Sequence, residues 1–171
     1  MQKPTFRRFQ NFMLFVSIFV LGFSFYIEIL NQLRPCPLCF MQRACAFLFG
    51  FLCMWGMLVA SVKRARVVSL MQCIFAGLGL YFAARQLWLQ SLPLEETGQC
   101  MPGLQAMIHY FSWDMILKSF FWGSSDCSHV DWQWYGLSIP LWSALYFVLM
   151  FGTSLYVYIH VLFTLRQRRK F

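Results

Sequence analysis

Four apolar runs, each long enough to cross a bilayer, constrain this chain more than any other feature. A helix rises about 1.5 Å per residue, so about 20 apolar residues traverse the ~30 Å hydrocarbon layer. Such runs lie at about residues 12–30, 40–62, 67–89 and 140–165. Inside lipid the backbone finds no water to bond, so each run must satisfy its own N–H and C=O groups as a helix. The expected fold is an all-α membrane protein, a four-transmembrane-helix bundle forming one integral membrane domain over residues 1–171. Composition agrees, because 60% hydrophobic and 12% charged residues are too apolar for an ordinary water-soluble domain. Arg7 and Arg8 ahead of the first run resemble the start of a cleaved signal peptide, but the run is long and no small-residue cleavage site follows. It reads as a retained first span.

The basic residues set the orientation. Ten of the 14 Lys and Arg (Lys3, Arg7, Arg8, Lys63, Arg64, Arg66, Arg166, Arg168, Arg169 and Lys170) flank the spans on one common side if there are four crossings. Positive residues are retained inside, so this side, with both termini, is expected to be cytoplasmic. The net charge of +8 is then mostly a topology signal. Short basic clusters abutting apolar spans suit anionic lipid headgroups rather than nucleic acid.

Two segments fall on the outer side, about residues 31–39 and 90–139. In the longer one Leu104, Met107, Ile108, Phe111 and Met115 recur at helical spacing against Gln105, His109 and Ser112. This predicts a short interfacial helix lying on the bilayer or packed against the bundle, with Trp113 and Trp122 in the headgroup zone.

Seven cysteines divide by the same topology. Cys45, Cys53 and Cys73 fall within spans without a pairing motif and read as small apolar side chains. Cys36, Cys39, Cys100 and Cys127 fall outside, where an extracytoplasmic compartment favours disulfides. In Cys36-Pro37-Leu38-Cys39 the two-residue spacing lets the sulfurs close a small ring. Thiolates at helix N-termini and beside Arg or Lys are exchange-competent, so the pair reads as redox-active. Proximity pairs Cys36 with Cys39 and leaves Cys100 with Cys127. The second pair reads either as a staple, worth roughly 3 kcal/mol in chain-entropy terms, or as a target for an incoming thiolate. A loop resting on a membrane has little core to staple, and the polar contexts Gly98-Gln99-Cys100 and Ser124-Ser125-Asp126-Cys127-Ser128 suit attack. A zinc site using His109 and His129 would need two compact ligand pairs, which Cys100 and Cys127 do not form, so no metal is expected.

Arg43 stands four residues after Cys39, one helical turn deeper on the same face. A cation there stabilises a thiolate and can hold the oxygen of a quinone head group as negative charge develops. The bland alternative is snorkelling to the interface. Arg85-Gln86, at the outer end of the third span, is placed to approach the same region, although snorkelling is the simpler reading for Arg85. Glu28 lies near a span end, where the interface can hydrate it.

The order of these elements is informative: a span, Cys36-Pro37-Leu38-Cys39 with Gln42-Arg43, two more spans, Gln86-Leu87, Cys100, Ser125-Asp126-Cys127, and Gly136-Leu137-Ser138-Ile139-Pro140-Leu141-Trp142. This pattern resembles the disulfide bond formation protein B (DsbB) family over essentially the whole chain. The resemblance implies a bacterial inner-membrane protein that reoxidises a periplasmic DsbA-like thioredoxin-fold protein and passes the electrons to a membrane quinone, ubiquinone or menaquinone, in the relay that keeps the periplasm oxidising. It implies that Cys100 forms the mixed disulfide with the partner, that Cys127 is the disulfide mate of Cys100, and that Cys36–Cys39 is reduced next. Cys39 and Arg43 would then face the quinone. Some members carry an acid where Gln42 stands. Two alternatives remain at this point: a vitamin K epoxide reductase-type oxidoreductase, which differs in where the cysteine pairs lie relative to the spans, and a non-catalytic protein whose disulfides brace a docking loop.

Overall fold

The computed structural model describes residues 3–32, 36–58, 61–92, 113, 120–123, 127, 133–134 and 136–168. Four long helices account for most of them: α1 (Lys3–Asn31), α2 (Pro37–Leu58), α3 (Val62–Ser91) and α4 (Ile139–Arg168). The shortest, α2, has 22 residues, a rise of about 33 Å, and α3 and α4 with 30 residues each extend past the hydrocarbon on at least one side. All four are long and apolar enough to cross a membrane, and the protein is multi-pass. A two-stranded antiparallel ribbon, β1 (Gln133–Trp134) with β2 (Leu137–Ser138), leads directly into α4. The expected interfacial helix and Cys100 lie outside the described residues, apart from Trp113, which is helical and exposed.

Local chemistry explains where the helices begin and end. Gln32, at φ 48°, takes the left-handed conformation that closes α1, and the Asn31 amide donates back to the Ile27 carbonyl at 2.9 Å. Ser61 caps α3, its hydroxyl accepting the Arg64 amide at 3.4 Å. Pro140 sits in the first turn of α4, where its missing N–H would have had no helical partner. In α2 the first turn starts at Pro37, so Cys39 stands inside the helix rather than in the short loop drawn at about 31–39. Cys36 supplies the reason: its carbonyl accepts the Phe40 amide at 3.1 Å and its sulfur the Cys39 amide at 3.4 Å, the two bonds of a helix cap.

Successive helices pack side by side, and α4 closes against α1 through the Tyr146 and Ser17 hydroxyls, 2.7 Å apart, and the Phe9 and Tyr156 rings, 6.0 Å apart. Met13, Phe49, Ala76, Phe147 and Met150 fill the centre. Gly79 is what admits Phe147, since a Cβ at position 79 would lie 2.1 Å from its ring. Small residues at helix crossings are how apolar helices associate in lipid, where burial itself supplies no driving force. Hydrogen bonds add to this. The Gln10 and Gln72 carboxamides bond each other at 2.7 and 3.2 Å, and Gln72 also donates to the Cys53 sulfur at 3.1 Å. Cys53 is therefore more than the apolar filler expected of it: it accepts a hydrogen bond that joins α2 to α3.

Candidate functional site

At one end of the bundle the first turn of α2, the last turns of α3 and the segment before the ribbon bring sulfur atoms together. Cys36 and Cys39 stand as thiols with their Sγ atoms 3.2 Å apart, where a modest approach joins or separates them. Leu38 between them is fully buried and fixes the turn in the core. Cys127, only 1% exposed, makes a side-chain hydrogen bond with Cys36 although 91 residues separate them in sequence. That hydrogen bond, a second one with Cys39, and burial together hold the Cys36 thiol well above the ordinary thiol range, so Cys36 keeps its proton.

A carboxamide lies against both thiols of the motif. Gln86 Nε2 is 3.2 Å from Cys39 Sγ and 3.5 Å from Cys36 Sγ, and its Oε1 is 3.4 Å from Cys39 Sγ. Gln42, one turn below Cys39 on α2, donates its own Nε2 to Gln86 Oε1 at 2.8 Å. Both glutamines are buried, and Gln86 does reach the region proposed for it from sequence.

Four residues ahead of Cys127 in the chain, the segment 120–123 is docked on the N-terminal end of α2 and the C-terminal part of α3. The Phe120 ring packs on Phe40 at 6.4 Å and Phe121 on Phe82 at 6.1 Å. The Trp122 carbonyl accepts from Arg85 Nε at 3.2 Å, and the guanidinium stacks on Trp88 at 4.2 Å and Trp122 at 5.3 Å. Gly123, at φ +84°, lies directly over Leu38 and Leu89. Arg85 is thus a clamp for this segment, where snorkelling had been the simpler expectation. The sequence held no periodic signal for the docking, because four contiguous residues meeting two helices have no repeat.

Arg43 stands one helical turn beyond Cys39 on α2, and its polar contacts are made with α1. Its guanidinium turns toward α1, where Nε donates to the Ser24 hydroxyl at 3.0 Å, one Nη to the Ser24 carbonyl at 3.5 Å, and the other pairs with Glu28, with Phe25 4.9 Å beneath. Glu28, expected from sequence to be hydrated at a span end, is accordingly an ion-pair partner. Of five guanidinium N–H groups, these contacts use three, which leaves two for another acceptor. The side chains are 20% and 26% exposed, between a surface pair worth under about 1 kcal/mol and a buried one whose breakage costs roughly 3–5 kcal/mol. Glu28→Gln is expected to lower stability in detergent by about 1 kcal/mol, read as a fall in thermal midpoint. An unchanged midpoint would show that the pair contributes nothing.

Comparison with known proteins bears on this arrangement. The family model for "Disulfide bond formation protein DsbB" matches residues 6–157. Disulfide bond formation protein B of Marinobacter nauticus is 38% identical over 146 residues, covering 81% of this chain and 83% of that protein. The protein of the same name from Stutzerimonas stutzeri is 34% identical over 133 residues, 77% and 82% of the two chains. That of Psychrobacter cryohalolentis is 32% identical over 165 residues, 92% and 91%. No solved structure matches. With a family model spanning most of its length and relatives above 30% identity over four-fifths of it, this chain belongs to the DsbB family of disulfide bond formation proteins.

Proposed function

We propose that this chain is a quinone-dependent thiol oxidase of the bacterial inner membrane, which reoxidises a periplasmic DsbA-like thioredoxin-fold protein and so sustains disulfide formation. The observation that carries this reading is the hydrogen bond of Cys127 to Cys36 beside Cys39. A relay needs its two cysteine pairs in contact, whereas a loop braced by its own disulfide does not.

The steps balance as thiol–disulfide exchange. A thiolate of the reduced partner attacks Cys100 in a Cys100–Cys127 disulfide, forming the mixed disulfide and releasing Cys127 as a thiolate. Cys127 faces Cys36, attacks it, and releases Cys39 as the thiolate leaving group. The partner's second thiol then expels Cys100, which as a thiolate takes back Cys127 and frees Cys36. Two electrons and two protons have moved from the partner to Cys36 and Cys39, and the partner has become a disulfide. The Cys36–Cys39 disulfide then reforms, and a membrane quinone, when bound, would supply the acceptor for the two electrons and two protons released. The chain's residues fit that role: Arg43, one turn below Cys39, retains two N–H donors for an acceptor oxygen beyond its contacts with the described residues and is partly exposed.

The test mixes detergent-solubilised protein with a reduced thioredoxin-fold oxidase and follows quinone absorbance. Stoichiometric loss of quinone absorbance as partner disulfide appears is the expected result. Partner binding without quinone turnover would favour a docking loop instead.

A further inference from the structure

We infer that Gln86 is the hydrogen-bond donor that makes Cys39, rather than Cys36, the reactive sulfur of the pair, and that Gln42 positions it. This inference rests on the oxidase reading for its purpose, but not for its geometry.

A primary carboxamide has two N–H donors and one acceptor oxygen. Here the oxygen accepts from Gln42 Nε2 at 2.8 Å, the shortest contact in the cluster, and more distantly from the Cys39 thiol at 3.4 Å, so Gln42 fixes which end of Gln86 lies nearer sulfur. The Nε2 group is then turned to the thiols and lies nearer Cys39, at 3.2 Å, than Cys36, at 3.5 Å. Cys36 accepts the Cys39 amide at 3.4 Å, and its single S–H is shared between Cys127 and Cys39 Sγ, the latter 3.2 Å away. Cys39 therefore receives donors from two sides, a carboxamide and a thiol, in a site with little water. Hydrogen bonds to an ionised acceptor are about twice as strong as neutral ones, so this arrangement favours charge on Cys39. When Cys36 is drawn into a bond with Cys127, its S–H is gone, and Gln86 is the side-chain donor left to the released Cys39 thiolate among the described residues. Gln42 touches neither sulfur. It acts by holding the carboxamide in the orientation that brings N–H closer to Cys39 than oxygen, 3.2 against 3.4 Å.

The experiment needs neither partner nor quinone. Reduced protein in detergent is treated with iodoacetamide at fixed pH, and peptide mass spectrometry gives the alkylation rate of Cys39 with Cys127 followed in the same digests. Buried Cys53 reports an intact bundle by staying unlabelled. Gln86→Glu keeps the shape and an acceptor for Gln42 but removes the donors, and Gln86→Leu removes both. Losing a charge-assisted bond lowers the thiolate fraction by about 10- to 100-fold, and the accompanying rise in nucleophilicity returns about half of that on a logarithmic scale. The expected fall in Cys39 alkylation is therefore roughly three- to tenfold in both variants, with Cys127 unchanged. Gln42→Leu gives a smaller fall in the same direction, which a purely structural Gln42 would not produce while Cys53 stays protected. An unchanged or faster Cys39 rate in Gln86→Glu with Cys53 still unlabelled overturns the inference. That outcome leaves the oxidase reading intact, and a failure of quinone turnover would leave this inference intact in turn.

Discussion

Replacing Cys39 with serine is expected to abolish quinone reduction, with turnover falling by at least about 10³-fold, because a hydroxyl can neither form the disulfide nor leave as a stable anion. The same variant should still accumulate a complex with the reduced partner, since Cys39 plays no part in capture. Cys100→Ser should do the reverse. It loses the mixed disulfide, visible as a missing covalent band on a non-reducing gel, while a small dithiol such as dithiothreitol still drives quinone reduction through Cys36–Cys39. The two variants together divide the route into its outer and inner halves. Equal, undiminished turnover in both would end the proposal.

Gly123→Val is expected to uncouple those halves without unfolding the bundle. At φ +84° a β-branched residue carries about 1–3 kcal/mol of backbone strain. Its Cβ would also stand 2.5 Å from Leu89 and 2.8 Å from Leu38, and Leu38 is fully buried between the two motif cysteines. The segment 120–123 must lift, and Cys127 follows it four residues later. A misplacement of about 1 Å in reacting groups lowers rates by roughly 10²-fold. Partner-driven quinone reduction should therefore fall about 10²-fold, while reduction driven by a small dithiol is largely retained. Equal loss with both donors would mean that Gly123 serves the bundle rather than the alignment of Cys127.

The four helices were readable because hydropathy over about 20 residues is a local property, and each helix end has a nearby cause, such as Pro37, Ser61 or Pro140. The Cys36/Cys39 pair was readable for the same reason, as its chemistry lies within four residues. What lay beyond reach was any contact between distant positions. Position at a span end placed Gln86 near the motif, but nothing in either span marks its contacts with Cys39, 47 residues away, and with Gln42, 44 away. Arg43 illustrates a subtler failure. Its depth and its helical face relative to Cys39 followed from spacing, but the partner that turns it, Glu28, sits 15 residues away on another helix, where proximity to a span end suggested hydration. The proximity of Cys127 to Cys36 was accessible through the family resemblance and through no feature of spacing.

The pairing of Glu28 with Arg43 also bears on how the chain enters the membrane. Inserted alone, α2 would carry an arginine that costs up to about 2.5–3.5 kcal/mol at mid-depth and less toward a helix end, and α1 would carry an unmatched carboxylate. Partitioning as a helical hairpin cancels both charges before either meets acyl chains. Biogenesis then favours release of the first two segments from the insertion machinery as one unit, with Cys36 and Cys39 already held where α2 begins.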